Sequence, residues 1–221
     1  MKSLLLAACA FVALTTSAQA AVLTYTDSIV SSATDWTSTL SVPKFNPALG
    51  TLTNIVFTLT GAVLGNVMVE SMSASPATVT SNLAASLTLT RPDSTTLVVS
   101  FPTFTATQTF TAYDGGLDFA GTSGITYAAI NSSQTASFTT PPPSSDLALF
   151  TGSGTITLPI SAHGASSVTG SGNLVAGFQT RAAAALQVDY IYDLVAVPEP
   201  TALALFGLGL IGAGLRRRRR T

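Results

Sequence analysis

The sequence predicts an all-β protein: an antiparallel β-sandwich with Thr- and Ser-rich strands, followed by a C-terminal hydrophobic helix. Three observations carry this. Apolar residues alternate with Thr over short windows, the period of a half-buried strand. Gly, Pro and Asp turn signals recur at short intervals, as in sandwiches and barrels. Helix signals are thin. β-branched Thr suits the solvated face of a sheet, where it packs and hydrogen-bonds across strands. A disordered Thr-rich stalk would lack the apolar partner at every second position.

Taken in order, Leu87 and Leu89 in 86–90 point inward from a strand. From Thr103 to Thr111 every odd position is Thr, with Phe104, Ala106 and Phe110 on the opposite face. Ile156, Leu158 and Ile160 repeat the pattern, as do Val188, Tyr190, Tyr192 and Leu194 near the end. Residues 181–186 (RAAAAL) are good helix formers, but Gly177 and the strand-like 187–195 bracket them, so helix and long strand both stay open. Turns are expected at Arg91-Pro92-Asp93-Ser94, Asp114-Gly115-Gly116, Gly121 to Gly124, Gly152 and Gly154, and Gly170 and Gly172. Pro141 to Pro143 read as a surface loop or a subdomain boundary.

Both ends read as addresses. Met1-Lys2, the apolar Leu4 to Leu14 and the small residues Ala18-Gln19-Ala20 form a secretory leader over residues 1–20, cut by signal peptidase after Ala20. Leu6-Ala7-Ala8-Cys9 has the letters of a lipoprotein box, but the apolar stretch before Cys9 is too short for one, so Cys9 is expected to leave with the leader. The exported chain then has no cysteine, and neither disulfides nor thiol chemistry contribute. At the other end, Val197-Pro198-Glu199-Pro200 precedes fifteen uncharged residues, Thr201 to Leu215, and then Arg216, Arg217, Arg218, Arg219 and Arg220. As a helix, fifteen residues rise roughly 22 Å against a hydrocarbon core of about 30 Å, short for a permanent span. The arginines would stay cytoplasmic and the Pro-Glu-Pro outside.

This order of Pro-Glu-Pro, short span and arginine cluster closely resembles the PEP-CTERM sorting signal of Gram-negative bacteria that make extracellular polysaccharide. The resemblance covers residues 197–221 and implies recognition by an exosortase, with cleavage near the motif. It also implies membrane attachment through the C-terminal helix before processing, and delivery to the cell surface or matrix. Residues 45–60 (FNPALGTLTNIVFTLT), 113–124 (YDGGLDFAGTSG), 147–160 (LALFTGSGTITLPI) and 188–192 (VDYIY) resemble the choice-of-anchor E domain. That likeness spans roughly residues 23–193 and assigns residues 21–196 to one all-β domain. The family's molecular role is undefined, so it implies location and fold, not an activity.

Between the addresses the charges are few. Lys44, Arg91 and Arg181 face nine carboxylates, a balance of −6 that the whole-chain value of −1 conceals. An acidic surface without a basic cluster argues against nucleic acid as a partner. His163 is the sole histidine, in Ser161-Ala162-His163-Gly164, and is expected at a surface turn. No Gly-x-Ser-x-Gly elbow accompanies it, and one nitrogen ligand is too few for zinc. Asp114 and Asp118 are the calcium candidates, since carboxylates and loop carbonyls suit a hard ion. Asx turns explain the same residues without a metal. Glu70 is the only glutamate before the sorting motif, and no spacing pairs it with an aspartate for glycoside hydrolysis. Trp36, Tyr113, Tyr127 and Phe178 are candidate sugar-stacking aromatics, with core packing as the alternative.

The expectation is therefore an exported surface or matrix protein with a structural or adhesive role beside exopolysaccharide. It is expected to have no enzymatic activity and no cofactor. An exopolysaccharide-binding module is the alternative, and a glycan hydrolase comes third.

Overall fold

The computed structural model describes residues 20–140 and 145–195, with Gly207 alone beyond them. The expected C-terminal helix, the Pro141 to Pro143 loop and the leader up to Gln19 lie outside the described residues, Gly207 apart.

The described chain is all-β. Ten strands follow one another: β1 (Ala20–Ala33), β2 (Trp36–Pro43), β3 (Gly50–Ser71), β4 (Ala77–Thr90), β5 (Thr96–Ser100), β6 (Thr103–Phe110), β7 (Gly124–Thr140), β8 (Thr155–Gly164), β9 (Ser167–Gly170) and β10 (Leu174–Leu194). A single 3₁₀ turn (Pro47–Leu49) and a one-turn helix α1 (Ser145–Leu149) are the helical elements described. The strands form two antiparallel sheets. The first has the order β1-β10-β3-β7, and the second β2-β8-β4-β5. In the second sheet β4 does double duty. Residues 77–84 pair β6 on one side, and 79–82 pair β9 on the other, whereas 85–90 pair β5 and β8.

The alternating pattern works as read. Leu87, Leu89, Ile156, Leu158, Ile160 and Val188 are buried between the sheets, and Thr103, Thr105, Thr107 and Thr109 face solvent. Residues 181–186 are strand, not helix. They lie in the middle of β10, hydrogen-bonded on both sides to β1 and β3, and bury Ala182, Ala184 and Leu186. Two ladders outweigh the intrinsic helix preference of alanine. Leu194 departs from the inward expectation: it shares the face of Tyr190 and Tyr192 but is the last residue of β10, and at the end of the sheet it is left exposed.

The flanks of the sandwich are closed by side chains. The Ser41 N–H of β2 donates to Asp27 Oδ2 of β1 at 2.8 Å. Opposite, Ser100 Oγ in β5 donates to the Gln134 carbonyl of β7 at 2.7 Å and accepts from Gly61 N–H of β3 at 3.2 Å. Phe101 N–H donates to Gln134 Oε1, and Ser132 Oγ donates to the Thr103 carbonyl at 2.8 Å. Edge strands that would otherwise offer bare N–H and C=O groups are thereby satisfied across the gap.

The long strands β3 and β10 run antiparallel from Gly50↔Leu194 to Ser71↔Leu174. At ~3.3 Å per residue, β3 covers roughly 70 Å along its path. The molecule thus has two distinct ends. One carries Ala20, Gly50 and Leu194, with an aromatic cluster beneath it: Phe45, Phe57, Phe150 and Tyr190, whose hydroxyl donates to the Pro43 carbonyl at 2.8 Å. The other carries the connections 72–76, 111–123 and 171–173.

Candidate functional site

At that second end three loops meet and are tied backbone to backbone. Met72 N–H donates to the Asn173 carbonyl at 2.8 Å, Tyr113 N–H to the Ser73 carbonyl at 2.8 Å, and Ser71 N–H to the Ser123 carbonyl at 2.8 Å. At the centre sits Glu70, the penultimate residue of β3, with no solvent exposure. A buried carboxylate is tolerable only when hydrogen-bonded. Glu70 Oε2 accepts from Phe119 N–H at 2.8 Å, and Oε1 accepts from Ser123 Oγ at 2.6 Å. Phe119 holds φ 56°, a left-handed value unusual for a bulky residue, and its N–H is the one Glu70 anchors. Gly124 lets the carboxylate approach: a Cβ there would stand 2.1 Å from Glu70 Oε2.

The two calcium candidates lie in the loop above. Asp114 Oδ1 accepts from Gly116 N–H at 3.1 Å and Asp118 Oδ1 from Ala120 N–H at 3.0 Å, each an i to i+2 Asx turn. Both carboxylates face Gly116, within 3.9 Å of where its Cβ would be. The Gly116 N–H holds the Asp114 carboxyl below the usual carboxylate range, against a smaller opposing effect of desolvation. Among the described residues no three His, Cys, Asp or Glu groups converge on a metal position. The Asx turns engage one oxygen, Oδ1, of each aspartate. Beside the loop runs an open groove of about 690 Å³, walled by Gln108, Thr109, Asp118, Phe119, Thr122 and Thr126. It offers hydroxyls, an amide, one carboxylate and a half-buried ring.

The other candidates do not join this site. His163 is exposed, in β8 and not in a turn, with Nδ1 3.8 Å from Asp35 Oδ1, which also accepts from Gly164 N–H at 2.6 Å. The pair is open to solvent, whereas a triad needs a sheltered acid to orient its base. Trp36 packs partly buried on the core, and Tyr127 lies against Phe104 with ring centroids 5.7 Å apart. Phe178 is partly exposed on β10 beyond the end of β1, beside Thr34 and Arg181. Tyr113 is half-buried in the loop. Glu70 is the residue sequence reasoning undervalued. The available signal was a lone acid closing the apolar run Val67-Met68-Val69.

Of the processing residues, Ala20 opens β1 and is the register partner of Asp193 in β10. Val197, Pro198, Glu199, Pro200 and Arg216 to Arg220 lie outside the described residues. Residues 196–220 match the PEP-CTERM protein-sorting motif. No curated protein matches the chain. Solved structures that overlap it include those of infectious bursal disease virus. The Gx strain is 13% identical, over 86% of this chain and 47% of that one, with TM-score 0.23. The VP2 subviral particle is 15% identical, over 80% and 38%, with TM-score 0.23. The chain thus spans about half the length of the first of these. TM-scores at this level do not reach a common fold.

Proposed function

We propose that this is an exported protein that an exosortase sorts to the surface or matrix of a Gram-negative bacterium, where it serves a structural or adhesive role beside exopolysaccharide. The observation that carries the reading is the sorting motif at 196–220, directly after the last strand of an all-β domain. The export leader over residues 1–20, and the assignment of 21–196 to a choice-of-anchor E-like domain, belong to the same proposal. The outer face of the second sheet supports a matrix role. Its exposed positions are Thr37, Thr39, Ser41 and Thr157 at one end and Thr78, Thr105, Thr107 and Thr109 at the other. Thr78–Thr109 and Thr80–Thr107 hydroxyls pair at 3.0 Å. Such a surface is hydrated largely by neutral hydroxyls.

The test is replacement of Arg216 to Arg220 by serine in the native host. The expected result is a chain retained at its unprocessed C-terminal mass in the membrane fraction. A mature mass and location identical to wild type would remove the reading. The alternative, an exopolysaccharide-binding module, is favoured by the groove beside Phe119, whose walls offer hydroxyls, an amide and the Asp118 carboxylate. A polysaccharide pull-down with the host's own polymer tests it, and a hydrolysis assay on the same polymer tests the third reading.

A further inference from the structure

The fold fixes which end of the domain meets the membrane. We propose that the end carrying Ala20, Leu49 and Leu194 is a membrane-facing surface that rests on the phospholipid headgroups while the sorting segment is engaged, so that the Glu70-centred loops project outward. This rests on the membrane reading of the sorting segment given above.

The argument begins with reach. β10 ends at Leu194, and the uncharged stretch begins at Thr201, six residues beyond Val195. Even fully extended, six residues span only ~20 Å. A headgroup layer takes up about 5–8 Å on each side of the hydrocarbon core, so the end of β10 stands within roughly 15 Å of the headgroup surface. β10 is no dangling edge that could peel away to lengthen this tether. It is held on both sides by β1 and β3, up to the pairs Ala20↔Asp193 and Gly50↔Leu194.

The second observation is the chemistry of that end. Leu49 (41% exposed), Leu194 (43%), Val195 (58%) and Val22 (61%) are large apolar side chains left in solvent. By topology Leu49 precedes Gly50, the partner of Leu194, and Val195 follows Leu194; Val22, opposite Ile191, sits three positions back along the strands on the outer face of the sheet. Isolated exposed apolar residues need no explanation, and others such as Val30 and Leu117 lie elsewhere on the surface, but Leu49, Leu194 and Val195 adjoin one another at the exit point of a membrane segment. The third observation is that β1 begins at Ala20, paired with Asp193, so the start of the first described strand and the finish of the last lie at one end. The loop at 111–123 is carried on the opposite end, roughly 65 Å away along β3.

The test uses the full chain with Cys9→Ser and a single new thiol, Leu49→Cys or Leu117→Cys, the latter in the far loop. Each is labelled with a fluorophore and reconstituted into phosphatidylethanolamine–phosphatidylglycerol vesicles carrying spin-labelled headgroups. The expected result is several-fold stronger quenching at position 49 than at 117. Inserting about twelve Gly/Ser residues between Val195 and Ala196 adds ~40 Å of slack. Quenching at 49 is expected to persist there, and to be lost when Leu194→Ser and Val195→Ser are added. Flotation of the vesicles separates the two ideas. A chain that does not float overturns the membrane reading of the tail and this proposal with it. A chain that floats with equal quenching at both positions, loses quenching with the long linker alone, or keeps it after both serine replacements overturns this proposal only.

Discussion

Glu70 shows how one side chain organises an end of the molecule. Its carboxylate receives two hydrogen bonds, from Phe119 N–H and Ser123 Oγ, and Ser123 Oγ in turn accepts from Asp114 N–H at 3.4 Å. Glu70→Gln keeps the shape, but with its amide oxygen on Phe119 N–H its NH2 group meets Ser123 Oγ, and the serine hydroxyl hydrogen loses its acceptor. Leaving a buried polar group unsatisfied costs about 1–3 kcal/mol, so chemical denaturation should show a loss of this order. Amide exchange at Phe119 should accelerate in parallel. Asp114 allows a test of sign. Its carboxyl is held below the ordinary range by Gly116 N–H, so the folded group binds its proton less readily than the unfolded one. The stabilisation it gives is present above the unfolded carboxylate value of about 3.9, and is lost as pH falls through the lower folded value. Asp114→Asn keeps the acceptor for the Asx turn and removes the titration. An acid titration followed at the Gly116 amide should therefore flatten in that variant, while Asp114→Ala should lose the turn at every pH.

At the scale of elements, what the sequence made legible was periodicity. The Thr alternation of 103–110 and the Leu alternation of 87–89 appear as β6 and β4 with the expected faces. A period of two survives any tertiary context that buries one face. The 181–186 segment was not legible, because its outcome depends on partners at residues 27–33 and 59–64, which no local window contains. The side-chain closure of the flanks was equally out of sight. Ser100 reads locally as one more strand serine, yet it links β5 to both β3 and β7. Ser100→Ala leaves the Gly61 N–H without this acceptor and the Gln134 carbonyl without this donor in a buried setting. A loss of about 1–3 kcal/mol is expected by thermal or denaturant unfolding. Thr107→Ala, on the exposed face, should change stability by less than about 0.5 kcal/mol. The candidate site was half legible: Asp114 and Asp118 stood out, but Glu70 joins them only because β3 runs far enough to reach beneath their loop.

At the scale of the whole molecule, the order of strands makes the last described strand a condition for closing the first sheet. β1 is the first described strand and β10 the last, yet in the first sheet β1 has only β10 as its hydrogen-bonded neighbour, and β10 stands between β1 and β3. The sheet cannot close until residues up to Leu194 are available to pair. Such pairing of sequence-distant segments carries a large loop-closure cost before contacts repay it. A chain ended after Asn173 therefore lacks the element that buries Ala182, Ala184, Leu186, Val188 and Tyr190. Its β1 has no ladder, and the aromatic cluster around Phe45 and Phe150 loses Tyr190. The expected outcome is loss of cooperative unfolding and rapid proteolysis, whereas a chain ended after Val195 should keep a single sharp transition. Pulse proteolysis of the two truncations side by side decides it. A compact, protease-resistant chain ending at Asn173 would mean that the second sheet folds without β10.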